Sequence, residues 1–454
     1  MIKHLLSFLI LLLPLCVLGQ SNEADQYFYK GVAYESADQP DKAIPYFEKS
    51  AELEKKIFEP SSDNYHRSDI EIVKCKFSIV NNYISLQNYN EAIKLQTNVV
   101  ESVKQIVGEE DEVYATMLNN LSYVYKLAGN YDEAIKLGSA TLDIRRKVLG
   151  EKHPNYAASL VNMKYYCSES GKYEQAIIYA TQLADLYKVL SGENSKEYGV
   201  ALSDLAKFYA HLRNYDASIR IQNKVTEIFK QVFGSNSLEY AVALSNLASL
   251  YHSNHNFGIA AKMGVQASEL VKSINGEQSL EYATSLSNLS VYYSSLENYS
   301  EAIKLETKAA EIRKKLLGEN HKEYGSSLGH LSALYSCIGN TQESIRYAIM
   351  SSNIFKVAYG PQSRAYATAL HRIANGCADL KNYDDAIKLM REVLNILKQE
   401  VGEYHPEYLN GWRIGFHITQ HFILFTCRGL RSIILAPHST LWHTTVRCCQ
   451  KASC

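Results

Sequence analysis

An all-α repeat solenoid is the fold this sequence predicts, and three marks on a single ruler predict it. Glycine stands at Gly108, Gly150, Gly192, Gly234, Gly276, Gly318, Gly360 and Gly402, a constant spacing of 42 residues. Tyrosine keeps the same spacing from Tyr114 through Tyr156, Tyr198, Tyr240, Tyr282, Tyr324 and Tyr366 to Tyr408. A small residue does so too, at Ala92, Ala134, Ala176, Ser218, Ala260, Ala302, Ser344 and Ala386, nearly always followed by Ile. Self-similarity at such a period signals an array of supersecondary units, none of which can bury its apolar face alone. Stacked neighbours bury it between them, so the core is a ribbon and the molecule an elongated superhelix.

The first twenty residues come before the array. Lys3 and His4 give a polar start, Leu5 to Leu18 an apolar run, and Val17-Leu18-Gly19 ends on a small residue, the pattern of an export signal cleaved after Gly19. A single membrane span is the alternative, but the run of about 14 residues is short of the roughly 20 a bilayer core needs. Cys16 suggests a lipid anchor, against which the bulky Leu15 before it argues. The expected product is therefore exported, periplasmic or secreted, with no stable membrane span once the signal is removed.

An early unit centred on Ala43 precedes Ala92, and the loop around Pro60-Ser61-Ser62-Asp63 takes up the extra residues between them. Within one regular unit, Leu118, Leu121, Val124 and Tyr125 share a helical face at spacings of three and four. Gly129-Asn130 ends that helix, since both residues tolerate a left-handed conformation, and Asp132 is positioned to cap the next one. The second helix carries Ile135, Leu142, Ile144, Val148 and Leu149 on its apolar side and Lys136, Arg145, Arg146 and Lys147 on its wet side. Gly150 is expected to close it with the same left-handed cap. Each unit is a helical hairpin, and about eight to nine hairpins are expected. Ala134 and its equivalents fall where the two helices of a hairpin cross most closely, which restricts the position to Ala and Ser.

These runs, Leu118-Asn119-Asn120-Leu121, Gly129-Asn130-Tyr131-Asp132-Glu133-Ala134-Ile135 and Val148-Leu149-Gly150-Glu151-Lys152-His153-Pro154, resemble the long tetratricopeptide units of kinesin light chain. Tyr27, Gly31, Tyr34, Ala43 and Phe47 resemble the general tetratricopeptide pattern. The resemblance covers residues 24 to 410 and implies a right-handed α-α superhelix that binds a protein or peptide partner in a concave groove lined by first helices. An export signal departs from the cytosolic kinesin light chains, so cargo adaptation for a motor does not carry over.

Composition narrows the function. With 47 Lys+Arg against 48 Asp+Glu, nothing draws the chain toward nucleic acid or an anionic surface. The sequence has no Gly-rich phosphate loop, His-Glu-x-x-His helix or Gly-x-Ser-x-Gly elbow, and no cofactor is expected. Paired acids such as Asp132-Glu133 and Asp384-Asp385 begin second helices, where the helix dipole favours them. His153 and His405 precede proline in loops between units and read as loop chemistry. Cys75, Cys167, Cys337 and Cys377 have no partner in reach and read as small, mostly buried residues.

Past Tyr408 the ruler fails. The segment to Cys454 has no Asp or Glu but holds both Trp residues, four His and four Cys. His417, His421 and Cys427 could form a metal site; a foreign or out-of-frame end on a truncated array is the other explanation. Three segments result: a signal over 1–19, the solenoid over 20–410 and an atypical tail over 411–454. The leading function is a non-catalytic interaction scaffold; the alternative is the sensing arm of an exported enzyme, such as a caspase-like peptidase, whose catalytic domain was lost. The candidate binding residues lie fourteen before each small anchor: Ser78, Asn120, Asn162, Asp204, Asn246, Asn288, His330 and Arg372. All are polar and lie on first helices between apolar residues such as Leu286 and Leu289, and in the resembled family asparagines of this helix hold peptide backbone. An Asn amide can both donate to and accept from a peptide group without reading its side chain; simple tolerance of Asn on a wet face is the second explanation.

Overall fold

A computed structural model describes residues 21–415 except 59, 61, 63, 64, 403–405, 407, 410 and 412. The expected leader with Cys16, the loop histidine His405, and His417, His421 and Cys427 lie outside the described residues. Those described form helices and connecting turns, in two compact units of Met1–Val232 and Phe233–Cys454.

The first unit holds five hairpins: α1 (Ser21–Ser36) with α2 (Pro40–Ile57), α3 (Arg67–Ser85) with α4 (Tyr89–Val107), α5 (Glu112–Leu127) with α6 (Tyr131–Val148), α7 (Pro154–Glu169) with α8 (Tyr173–Leu190), and α9 (Lys196–His211) with α10 (Tyr215–Phe233), whose last residue opens the second unit. The second unit holds four: α11 (Leu238–Ser253) with α12 (Phe257–Asn275), α13 (Leu280–Ser295) with α14 (Tyr299–Leu317), α15 (Lys322–Cys337) with α16 (Thr341–Tyr359), and α17 (Arg364–Asp379) with α18 (Tyr383–Val401). Within each unit a helix packs mainly on the one before and the one after, as a repeat array requires. The core follows the stacking: one cluster joins Ala241, Val271, Tyr282, Ala283, Leu286, Ala309 and Ile312 across α11 to α14.

The crossing inside each hairpin explains the choice between Ala and Ser. Ala134 is wholly buried, and its carbonyl accepts from Ser122 Oγ at 2.9 Å. Where the anchor is itself Ser, the polarity reverses. Ser218 Oγ donates to the Ala206 carbonyl at 2.6 Å and Ser344 Oγ to the Ser332 carbonyl at 2.9 Å. A buried hydroxyl needs such a partner.

One cap expectation is corrected. Asp132 does not cap α6: Asn130 accepts from the Glu133 backbone N–H at 3.3 Å, while Asp132 pairs with Lys172 at 2.6 Å. The Ncap side chain needs extended geometry one step outside the helix, and Asp132 is already inside it. Gly150 has the positive φ expected of it, 81, but five of its equivalents are not ordinary left-handed caps. Gly108, Gly276, Gly318, Gly360 and Gly402 combine φ of 84 to 90 with ψ of 162 to 178, a region closed to side chains. The turn inside each hairpin is different. Gly129, Gly171 and Gly339 occupy it in three hairpins, but Asp38, Gln87, Arg213, His255, Glu297 and Lys381 take it at φ of 56 to 64.

The hairpins are stitched by polar clamps. Arg145, nearly buried on α6, donates to Glu112 and Thr116 on α5 and to the Asn155 carbonyl and Ser159 hydroxyl on α7. His153 caps α7 by accepting from the Asn155 N–H at Nδ1, 3.1 Å away, which gives the His-Pro loop a structural role. Helix continues beyond the expected boundary at 410. Gly411 lies against Leu394 and Leu397, and Ile414 against the cluster of Ala374, Ala386 and Met390.

Candidate functional site

The repeat places the candidate binding residues on one position of successive first helices, and cross-helix bonds show those helices to be side by side. In the first unit these are α3, α5, α7 and α9, carrying Ser78, Asn120, Asn162 and Asp204, all half-buried. Two of the four are already engaged. Asn162 Nδ2 donates to Asn119 Oδ1 on α5 at 2.9 Å. Asp204 accepts from Lys164 on α7 at 2.5 Å and from Lys207 at 3.5 Å. Only Ser78 and Asn120 keep their side chains clear of any such bond. One turn further along the same face, the exposed Tyr123 and Tyr165 flank Lys126, whose ammonium lies 5.5 and 5.0 Å from their ring centres. The two tyrosines obey the repeat spacing, the one signal of this pair in the sequence.

In the second unit the residues are Asn246 on α11, Asn288 on α13, His330 on α15 and Arg372 on α17. Asn246 and Asn288 are half-buried and His330 more open. Among the described residues Arg372 makes no hydrogen bond or ion pair, and burial pushes its guanidinium below the ordinary value. Beside it, His371 Nε2 is buried without a hydrogen-bond partner, and burial, then the Arg372 charge, lowers that imidazole too. Between α11 and α13, His252 Nε2 meets Ser295 Oγ at 2.8 Å and Ser249 Oγ meets the Tyr292 hydroxyl at 2.9 Å. The face is thus a row of amides and hydroxyls that ends in an imidazole and a guanidinium.

Among the described residues no group of three or more His, Cys, Asp and Glu could hold a metal, and no helix is long and apolar enough to cross a membrane. Burial pushes the Cys75 and Cys167 thiols up to about 11, away from the thiolate a nucleophile needs. The four described cysteines are free, and the expectation of burial fails at one: Cys337 is exposed, at the outer end of α15. Of the paired acids, Asp385 accepts from Asn382 at 2.6 Å, a bond within the first turn of α18.

Models of the tetratricopeptide repeat match residues 78–146, 113–188, 197–273, 243–315 and 323–399, and a further tetratricopeptide model matches 24–57. Among solved structures, BtubC (BKLC) from P. vanneervenii is 19% identical, with a TM-score of 0.45 over 51% of this chain and 92% of that one. A putative kinesin light chain with nearly identical TPR-like repeats from Podosopora anserina is 17% identical, with a TM-score of 0.41 over 46% and 98%. The apo quorum sensor NprR from B. thuringiensis is 11% identical, with a TM-score of 0.46 over 83% and 98%. No curated protein matches the sequence.

Proposed function

This chain belongs to the tetratricopeptide repeat family, and on that premise we propose that it is a non-catalytic scaffold holding an extended peptide or protein segment along its first helices. The observation that carries this reading is the recurrence of a polar, partly accessible side chain at one place on successive first helices. Asn120 in the first unit and Asn246 and Asn288 in the second each offer a donor and an acceptor to a passing peptide group. First helices packed about 8–10 Å apart would meet a strand rising about 3.3 Å per residue at every third residue. The concave groove and an exported location, periplasmic or secreted, belong to the same proposal; the leader-like pattern of the first nineteen residues supports export.

The test starts with the partner, recovered by pull-down from the native extracytoplasmic fraction with the mature chain as bait. Changing Asn120, Asn246 and Asn288 together to Ala should weaken it by about 1.5–4.5 kcal/mol, at roughly 0.5–1.5 per bond, with helicity unchanged. Undiminished binding would move recognition to the second helices or the loops. Amino-terminal sequencing of the natural product should begin at Gln20; a product that keeps Met1 would remove the export part.

A further inference from the structure

The least expected group near the candidate groove is a carboxylate beneath it. Glu306 on α14 is wholly buried, and its Oε1 lies 3.6 Å from Nδ1 of His330, whose side chain on α15 is about half exposed, at 48%. The same oxygen accepts from Ser287 Oγ at 3.1 Å and lies 3.8 Å from Arg313 Nη1. Its other oxygen, Oε2, is buried without a partner. A buried, half-satisfied carboxylate is costly, so its retention calls for an explanation.

Hairpin packing does not supply one. The equivalent position in other hairpins is Gln96, Gly138, Ala180, Gln222, Gly264, Ala348 or Met390. The neighbouring arginine accounts for part of it: Arg145, equivalent to Arg313 four units earlier, pairs with Glu112 at 3.1 Å, whereas the equivalent of Glu112 beside Arg313 is Leu280, so Glu306 at 3.8 Å and Glu323 at 3.9 Å are the carboxylates near that guanidinium. Glu306 also faces the ring at a candidate binding position, which no equivalent residue of the other regular hairpins does with a carboxylate. A neutral imidazole carries one N–H, and the nitrogen nearest a carboxylate is the one that holds it.

We propose that Glu306 holds His330 as the Nδ1–H form, so that Nε2 meets the groove as a hydrogen-bond acceptor and the ligand must present a backbone N–H opposite α15. Proline, which has none, is then rejected at that point. Asn246 and Asn288 impose no such rule, because an amide accepts or donates as required. His330 is in this sense a specificity-determining residue and Glu306 the residue that positions it. The proline rule rests on the groove reading; the orientation of the ring does not.

Two measurements on the full chain separate them. With nitrogen-15 histidine in mildly alkaline buffer, the ring signals of His330, assigned by their loss in His330→Asn, should show a protonated Nδ1 and a bare Nε2. Glu306→Gln, whose amide can donate or accept, should leave the two ring forms mixed. A parent ring protonated at Nε2 overturns the proposal without any ligand, and this reading of the parent decides the matter even if Glu306→Gln fails to fold. A randomised peptide display library then probes the groove: parent-selected peptides should lack proline at one position by about tenfold, the effect of one hydrogen bond, and His330→Asn should restore it. Proline accepted everywhere by the parent overturns the rule. A library that yields no binder overturns the groove reading and the rule together, while the ring spectrum still judges the pair.

Discussion

At the scale of single residues, stability turns on side chains that have no room to change. Ala134 is fully enclosed, with Met163 and Tyr166 packed in the same cluster. Ala134→Leu should therefore overpack the crossing and cost about 1–3 kcal/mol in chemical denaturation, whereas Ala134→Ser should be tolerated, as Ser218 and Ser344 show. Two half-buried imidazoles set a pH dependence. Burial, then the His255 charge, lowers His252; burial, then the Arg372 charge, lowers His371. Both rings bind a proton less readily folded than unfolded, so stability rises with pH across the window between. It is complete above the ordinary histidine value of about 6.5 and is lost as pH falls below it. Thermal melting should drop on acidification from neutrality, and a His252→Asn, His371→Asn double variant should flatten that slope.

At the scale of the element, the two kinds of glycine should respond oppositely. Gly276 ends α12 at φ 84 and ψ 166, where any Cβ is strained, so Gly276→Ala should cost about 1–3 kcal/mol. Glu297 already sits at φ 59 in the turn of the next hairpin, and Glu297→Gly should change stability by no more than about 1 kcal/mol in either direction. Denaturant midpoints of the two variants check both. The same contrast accounts for what could be read beforehand. The glycine at the end of the second helix recurs in every hairpin after the first, whose α2 ends on Phe58 in extended backbone, and where its φ and ψ are those of Gly276 the conformation admits nothing else, so the regular hairpins were legible. The turn within the hairpin takes a φ of about 60 that Asp, Gln or Lys adopts here, and it left only an irregular trace. At the candidate site, the polar position on each first helix was legible, but its engagement was not: Asn119 with Asn162 and Lys164 with Asp204 are partners 43 and 40 residues apart. Aligning the repeats and asking which side chains fall one period apart would have revealed them.

At the scale of the whole molecule, each unit is tied together almost entirely by helices that are consecutive in the chain. Two-state bookkeeping suits such arrays poorly, since stability adds up from local units and their shared faces. Amide exchange should accordingly differ from hairpin to hairpin rather than report one global value. There is also a mechanical corollary to contacts that reach only the next neighbour. Among the described residues of each unit a pulling force meets no distant clasp to break first, so the hairpins of a unit should behave as a row of equal fuses. In an optical trap each regular hairpin should give way separately and lengthen the tether by about 130–140 Å, the extension of one 42-residue period at roughly 3.3–3.6 Å per residue less its folded width. A single large rupture would mean the hairpins are bound together by more than their neighbours.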